Sequence, residues 1–355
     1  MAWTTLEFQP DEYNAAARLL ARTAFPVSTL EGLHALDVIN NWRSAHAYPL
    51  NTFQITLRNR ARKFEKSVTV AQRAKRLDSI HRKLISKKTM RLTQMQDIAG
   101  CRAIFTRLTS VYRLAEFYKT KDFDHKFRNE KDYIENPKPD GYRSYHLVYE
   151  YVGTDATAEY SGLRVEIQIR TQMQHSWATA VEAVGLFTRQ ALKSNQGDED
   201  WLRFFALMSS AIAAIERTPS VPGAPIAKVE LVNEIQRLSQ KLRAKDMLRA
   251  YNTTLETIGA AKDAKYFIIE VDPEEGKTTL RRFKAKESSS ANLRYTELES
   301  KIPEGSRRQV VLVSASDIAA LKKAYPNYFL DTALFSRLVD RVLTGDFPEP
   351  LVEEV

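Results

Sequence analysis

Apolar residues recur at helical spacing through the first ninety positions, with one short interruption. Residues 10–23 carry this pattern after Pro10 and Asp11, both suited to a helix start. The pattern predicts a second helix over 28–47, entered at Ser28 or Thr29 and stopped near Pro49. A third runs over 51–66, with Phe53, Leu57 and Phe64 facing inward and its arginines outward. Val68-Thr69-Val70 reads as a short strand. Residues 77–88 read as a helix entered at Asp78 or Ser79, with Ile80, Leu84 and Ile85 as its apolar stripe. DIAGCRAIF (97–105) is a Gly-punctuated loop running into a buried strand, followed by a helix at 108–120. Strand patterns near 125–133, 144–152 and 162–170 lead to a helix over 172–189.

The fold class expected is α+β (α/β): a mixed β-sheet with helices on its faces. Residues 200–217 read as an apolar helix, and 218–225 (TPSVPGAP, three prolines and a glycine) as an elbow. Beyond it a long amphipathic helix is expected over 226–258, with Leu231, Ile235, Leu238 and Leu242 on one stripe. Residues 264–345 then alternate strand patterns (KYFIIEV, TTLRRFKA, RQVVLVSA) with helical ones (SDIAALKKA, LDTALFSRLVDRVL). The chain divides on this reading into a domain at 1–217, a linker and helix at 218–262, and a smaller domain at 263–355.

Charge sharpens the picture. The net charge is +9, from 53 Lys and Arg against 44 Asp and Glu, and thirteen of the basic residues fall between Arg58 and Arg91 against two acids, Glu65 and Asp78. So concentrated a field predicts a polyanionic partner, nucleotide phosphates or RNA. The single cysteine, Cys101, excludes an internal disulfide framework and a multi-cysteine zinc site. With no bilayer-length apolar run and no signal-peptide pattern at MAWTTLEFQPDEYN, a cytoplasmic protein is expected.

Four stretches could carry chemistry. In KDYIENPKPDGYRSYHLVYEY, two prolines and Asp140-Gly141 make a stiff turn that presents Tyr142, bracketed by Lys138 and Arg143. An aromatic face flanked by cations suits a nucleobase with its phosphates, though a hairpin tyrosine packed on its neighbours fits the same pattern. In RVEIQIRT (164–171), Arg164, Glu166, Gln168 and Arg170 share one strand face, as in a floored cleft or on the solvated side of an edge strand. Asp97 and Glu166 could jointly hold Mg²⁺, which favours one or two carboxylates plus phosphate oxygens, and Glu166 could serve as a general base. Arg73, Lys75, Ser79 and Lys83 place Ser79 and Lys83 one helical turn apart beside a helix start that favours phosphate.

RAKRLDSIHRKL (73–84), DIAGCR (97–102), KDYIENPKPDGYRSYH (131–146) and VEIQIRT (165–171) together resemble the synthetase domain of RelA/SpoT homologues. These are pyrophosphokinases that make the alarmone (p)ppGpp on a nucleotidyltransferase-like fold. The resemblance implies that ATP donates a diphosphate to a ribose hydroxyl and releases AMP. It also implies that Arg73 and Arg102 sandwich adenine and that Lys75, Ser79 and Lys83 hold the ATP phosphates. Asp97 and Glu166 would bind Mg²⁺, with Glu166 as the base. Tyr142 would stack on the acceptor base, with Lys138, His146, Gln168 and Arg170 lining that side. No hydrolase region precedes the synthetase motifs, as in small alarmone synthetases. The helix after VEIQIRT has Glu182-Ala183 where many of these have Glu-His.

The appended segment AYPNYFLDTALF (324–335) resembles the Y-x-x-Y element of CapRel-type fused toxin–antitoxin proteins, whose C-terminal pseudo-zinc-finger domain folds back on the active site. That resemblance implies a different acceptor, the 3′-terminal adenosine of tRNA at its CCA end. It further implies a C-terminal antitoxin and sensor released by a phage capsid protein, with Tyr325 and Tyr328 obstructing the adenine pocket near Arg73. A monomer is expected. Two other functions fit the sequence: a synthetase acting on GDP or GTP, and a non-catalytic nucleotide-sensing module.

Overall fold

The computed structural model describes residues 3–22, 29–120, 123–187, 199–250, 254–258, 263–272, 274–275, 277–303, 306, 308–315, 318–325 and 332–351. It is a mixed α+β structure built on one nine-stranded sheet. The strands are β1 (Thr69–Ala74), β2 (Ala99–Phe105), β3 (Lys126–Asp132), β4 (Tyr145–Glu150), β5 (Arg164–Thr171), β6 (Thr254–Ile258), β7 (Ala264–Asp272), β8 (Lys277–Lys284) and β9 (Gln309–Ser314). Their spatial order is β3-β4-β5-β2-β1-β9-β7-β8-β6. β5 runs parallel to β2 and antiparallel to β4, so it is a central strand and its polar face is not that of an edge.

One face of β2 and β5 is apolar: Ala99, Cys101, Ala103, Phe105, Val165, Ile167 and Ile169 are all buried. It packs with α1 (Pro10–Leu20), α2 (Leu30–Ala45), α3 (Ala47–Ala61) and α5 (Leu108–Thr120) into the largest core. Thr29 starts α2, its Oγ1 accepting from the Gly32 N–H at 3.2 Å. Pro49 does not end that helix as expected. It lies in the first turn of α3, which follows α2 at once and where a missing N–H costs nothing. α4 (Leu77–Ser86) begins at Leu77, with Arg76 as an N-cap residue that offers no side-chain bond.

A second core joins α6 (Gln172–Phe187), α7 (Glu199–Glu216), α8 (Lys228–Lys241), α9 (Ala244–Ala250) and the last helix, α12 (Ala333–Leu343). Leu231, Ile235 and Leu238 are buried there as their stripe predicts. The single long helix expected over 226–258 is not present. The chain breaks after α8, with Arg243 at φ 48°, resumes as α9, and ends as strand β6. The backbone conformation at Arg243 cannot be continued in a right-handed helix. The segment 218–225 is tied down: Thr218 and Pro219 accept from Arg143, and the Val221 N–H donates to Ser210 Oγ at 3.0 Å.

The C-terminal strands join the sheet through two residue pairs, Gln72 with Ser314 and Arg73 with Val313. α10 (Ser288–Ser300) packs against one face of β7 and β9 through Tyr295, Ile268 and Val310. α11 (Ile318–Ala324) packs on the other, over Phe267, Ile269, Val311, Val313 and Ala71 of β1. Among the described residues no helix is long and apolar enough to cross a membrane.

Candidate active site

The polar face of the sheet carries the site. Strand pairing sets Glu166, Gly100 and Arg73 in one row across β5, β2 and β1, and His146, Gln168 and Arg102 in the next across β4, β5 and β2. A Cβ added at Gly100 would meet only backbone oxygens, at 3.8 and 3.9 Å, so the floor between Arg73 and Glu166 is flat and open.

Asp97, just before β2, takes two ammonium groups: Lys75 Nζ donates to Oδ2 at 2.7 Å and Lys83 Nζ to Oδ1 at 2.8 Å. Burial pushes the Asp97 carboxyl up, but the two cations prevail and hold it well below the usual carboxylate range. For Lys75 the balance is the reverse: burial outweighs the attraction of Asp97 and lowers its pKa. Lys83 projects from α4, and Ser79 lies in the first turn of that helix, one turn earlier.

Glu166 forms the other half. His146 Nδ1 lies 3.0 Å from its Oε1, and Gln168 Nε2 donates to Oε2 at 2.6 Å. Burial raises its pKa and the Asp97 charge adds to that, yet His146 and Gln168 keep it lowered overall. The Asp97 charge is thus felt at Glu166. In the neutral imidazole, an Nδ1–H donated to Glu166 leaves Nε2 to accept from the Tyr142 hydroxyl, 2.9 Å away. Tyr142 is thus linked to Glu166 through His146.

The side expected to take the acceptor is an aromatic box. Lys138 Nζ sits 4.2 Å from the Tyr133 ring centre and 5.1 Å from that of Tyr142. The His146 ring stands edge-on to both tyrosines. Tyr133 went unnoticed in the sequence, although it ends the charged run KD directly before the loop. Burial pushes the Tyr142 phenol up to about 12, against the pull of Arg170 and Arg102. Arg170 is enclosed, its pKa pushed down to about 10 by burial and by the neighbouring Arg102 and Arg73 charges. It touches His175, and its Nε has no acceptor among the described residues.

Arg143 does not bracket Tyr142. It turns the other way, with Nε on Ser209 Oγ at 3.0 Å, Nη1 on the Ile134 carbonyl at 3.0 Å, and Nη2 on the Pro219 carbonyl at 2.6 Å. It fixes the loop that presents Tyr142. Tyr325, at the end of α11, is fully enclosed, and Arg102 lies over its ring at 5.0 Å. Its hydroxyl donates to the Gln72 carbonyl, beside Arg73. Tyr328 lies outside the described residues.

Among the described residues no three His, Cys, Asp or Glu gather around a common point. A divalent cation shared by Asp97 and Glu166 would take its remaining ligands from phosphate and water, not from a dedicated cage.

Residues 72–190 match the family described as the region found in RelA / SpoT proteins. The chain is similar to the GTP pyrophosphokinase YwaC of Bacillus subtilis (strain 168), 36% identical over 112 residues, covering 30% of this chain and 52% of that protein. It is 35% identical over 108 residues to a GTP pyrophosphokinase of Haemophilus influenzae, covering 30% of this chain and 13% of that one. The chain thus spans about half the length of the first and about an eighth of the second. The solved small alarmone synthetase 1 of Bacillus subtilis bound to pppGpp aligns at 25% identity and a TM-score of 0.43, over 50% of this chain and 91% of that one. The motifs and their convergence on one sheet face agree with the match over 72–190 to the region found in RelA / SpoT proteins.

Proposed function

We propose that this chain is an ATP-dependent pyrophosphokinase held inactive by its own C-terminal domain. The acceptor hydroxyl attacks the β-phosphorus of ATP, the bond from that phosphorus to the α,β-bridging oxygen breaks, and AMP leaves. The hydroxyl proton passes to Glu166, which its low pKa keeps ionised at neutral pH. Arg73 and Arg102 flank the adenine, and Lys75, Ser79 and Lys83 hold the phosphates. In this role the two lysines exchange Asp97 for phosphate oxygens. Mg²⁺, held by Asp97 and Glu166, would neutralise charge on the transferring group. Tyr142 stacks on the acceptor base, while Lys138, His146, Gln168 and Arg170 line its side, and the Arg170 Nε, without an acceptor among the described residues, is suited to an acceptor oxygen. Such transfers depend mainly on positioning and charge neutralisation.

One observation carries the regulatory part: the Tyr325 ring lies against Arg102, where adenine would stack. A desolvated cation–π contact is worth about 2 kcal/mol, and a tethered ring competes with ATP at high effective concentration. This arrangement favours the fused toxin reading, in which the acceptor is the 3′-terminal adenosine of tRNA and a phage capsid protein withdraws Tyr325. A guanosine nucleotide acceptor is favoured instead by the relatives named GTP pyrophosphokinases. The test uses ATP labelled at the γ-phosphate with deacylated tRNA, GDP or GTP, for the full chain and for Tyr325→Ala. Label is expected on tRNA and stronger with Tyr325→Ala. Label on guanosine nucleotide alone overturns the tRNA acceptor, and no label anywhere overturns the enzyme.

A further inference from the structure

The helix that presents Ser79 and Lys83 has no cap of its own, since Arg76 offers no side-chain bond. Its cap arrives from the other end of the chain. Glu299 of α10 accepts the Leu77 N–H on Oε1 at 2.8 Å, and the Tyr295 hydroxyl donates to the same oxygen at 2.7 Å. Its Oε2 accepts from Arg43 Nη1 at 2.9 Å, with side-chain exposures of 5% for Arg43 and 8% for Glu299. Four of the five Arg43 N–H donors are engaged. Nε holds the Lys75 carbonyl at 3.1 Å, Nη1 also reaches Asn40, and Nη2 bonds Tyr295 at 2.8 Å. A connected path therefore runs from Glu299 through Arg43 to the Lys75 backbone, and through the Lys75 side chain to Asp97.

We propose that Glu299 and Arg43 are positioning residues for the ATP phosphates, so that the C-terminal domain supplies part of the site it obstructs. This rests on the reading above that Lys75 and Lys83 bind those phosphates. The domain reaches the synthetase half on both faces of the sheet. α11 brings Tyr325 onto the polar face, and α10 brings Glu299 to the start of α4 from the other. The first contact excludes adenine; the second orders the segment 75–83. An N-terminal carboxylate also holds α4 in register, as a capping side chain does. Withdrawal of Tyr325 alone then activates, whereas removal of residues 260–355 takes the cap away with the obstruction.

The test measures binding of a non-hydrolysable ATP analogue to full-length protein by calorimetry, with thermal melting as a check on folding. Tyr325→Ala opens the adenine pocket and serves as the reference, and Lys83→Ala in that background reports on the phosphate reading. If Lys83→Ala leaves binding unchanged, that reading fails, and with it the basis of this proposal. If Lys83→Ala weakens binding, Glu299→Ala in the Tyr325→Ala background is expected to raise the Kd roughly tenfold, the scale of a lost cap. Glu299→Gln keeps an acceptor for the Leu77 N–H and should recover part of that loss. Gln309→Ala breaks the 2.7 Å contact of Arg76 with Gln309 and loosens the same interface while leaving Glu299 in place. It should leave the Kd unchanged. Tighter binding in Glu299→Ala would make Glu299 a latch and overturn the proposal. So would an equal loss in Gln309→Ala, or no recovery in a folded Glu299→Gln.

Discussion

Asp97 is balanced between two lysines, and substituting it tests whether that balance matters for catalysis. Asp97→Asn leaves both ammonium groups facing an amide, with Lys75 at 16% side-chain exposure. An unpaired, largely buried charge costs about 3 kcal/mol, so the variant should melt lower and turn over at least ~100-fold more slowly in the diphosphate-transfer assay. His46 gives a pH signature. It is 1% exposed, it bonds the Trp42 carbonyl through Nδ1, and burial drops its pKa from 6.5 to about 4. Because the folded pKa is the lower one, the folded state binds fewer protons. The stability is intact above pH 6.5 and is lost as pH falls toward 4, by about 3 kcal/mol in all. Chemical denaturation across that window should show the slope, and His46→Gln should flatten it; an unchanged slope would mean that the imidazole is not the group responsible.

At the scale of elements, the loop ahead of β4 is the most constrained piece of the site. Gly141 has φ +89°, and a Cβ there would meet Ser209 Cβ at 2.9 Å and Trp177 Cζ2 at 3.0 Å. Gly141→Ala combines backbone strain with a clash against α6 and α7, and should destabilise by about 2–4 kcal/mol. The loss should appear first as a higher KM for the acceptor, because Tyr142 follows directly; an unchanged KM would detach the loop from the acceptor. This loop and β5 were legible in the sequence because Pro, Asp-Gly and strict alternation each constrain the backbone locally. So was the polar row Glu166, Gln168, Arg170. Arg143 was misread because strand phase says which way a side chain leaves the backbone only once the strand has begun, and Arg143 precedes β4. α10 escaped detection altogether, since SSSANLRYTELES has no apolar stripe: Leu293 is exposed, and its buried side chains include Tyr295 beside Glu299 and Arg43. Glu299 is held by an ion pair spanning 256 residues, and no local pattern announces such a contact.

For the molecule as a whole, the seam between β1 and β9 decides how the two halves communicate. Only two residue pairs join them, against six on the other flank of β1 with β2. Behind the seam, β7 and β9 pair over six positions, so the C-terminal sheet keeps its own ladder if the seam opens. Adenine and the Tyr325 ring compete for the Arg102 face on the proposed reading, and coupling between two binding events is reciprocal. Whatever ATP gains by displacing Tyr325 must therefore appear as weakened docking of α11 and β9. Amide hydrogen exchange should report it. Saturating a non-hydrolysable ATP analogue should speed exchange at 318–325 and at Ser314, while the β7–β8 ladder stays protected. Exchange around Leu77 should instead slow or hold, because Glu299 continues to accept its N–H while the phosphates settle on Lys75 and Lys83. Uniform loosening of the whole C-terminal domain would contradict this, since it would mean that both contacts break together and that the domain only inhibits. Opening confined to the Tyr325 side is what a domain that obstructs on one face of the sheet and supports on the other must produce.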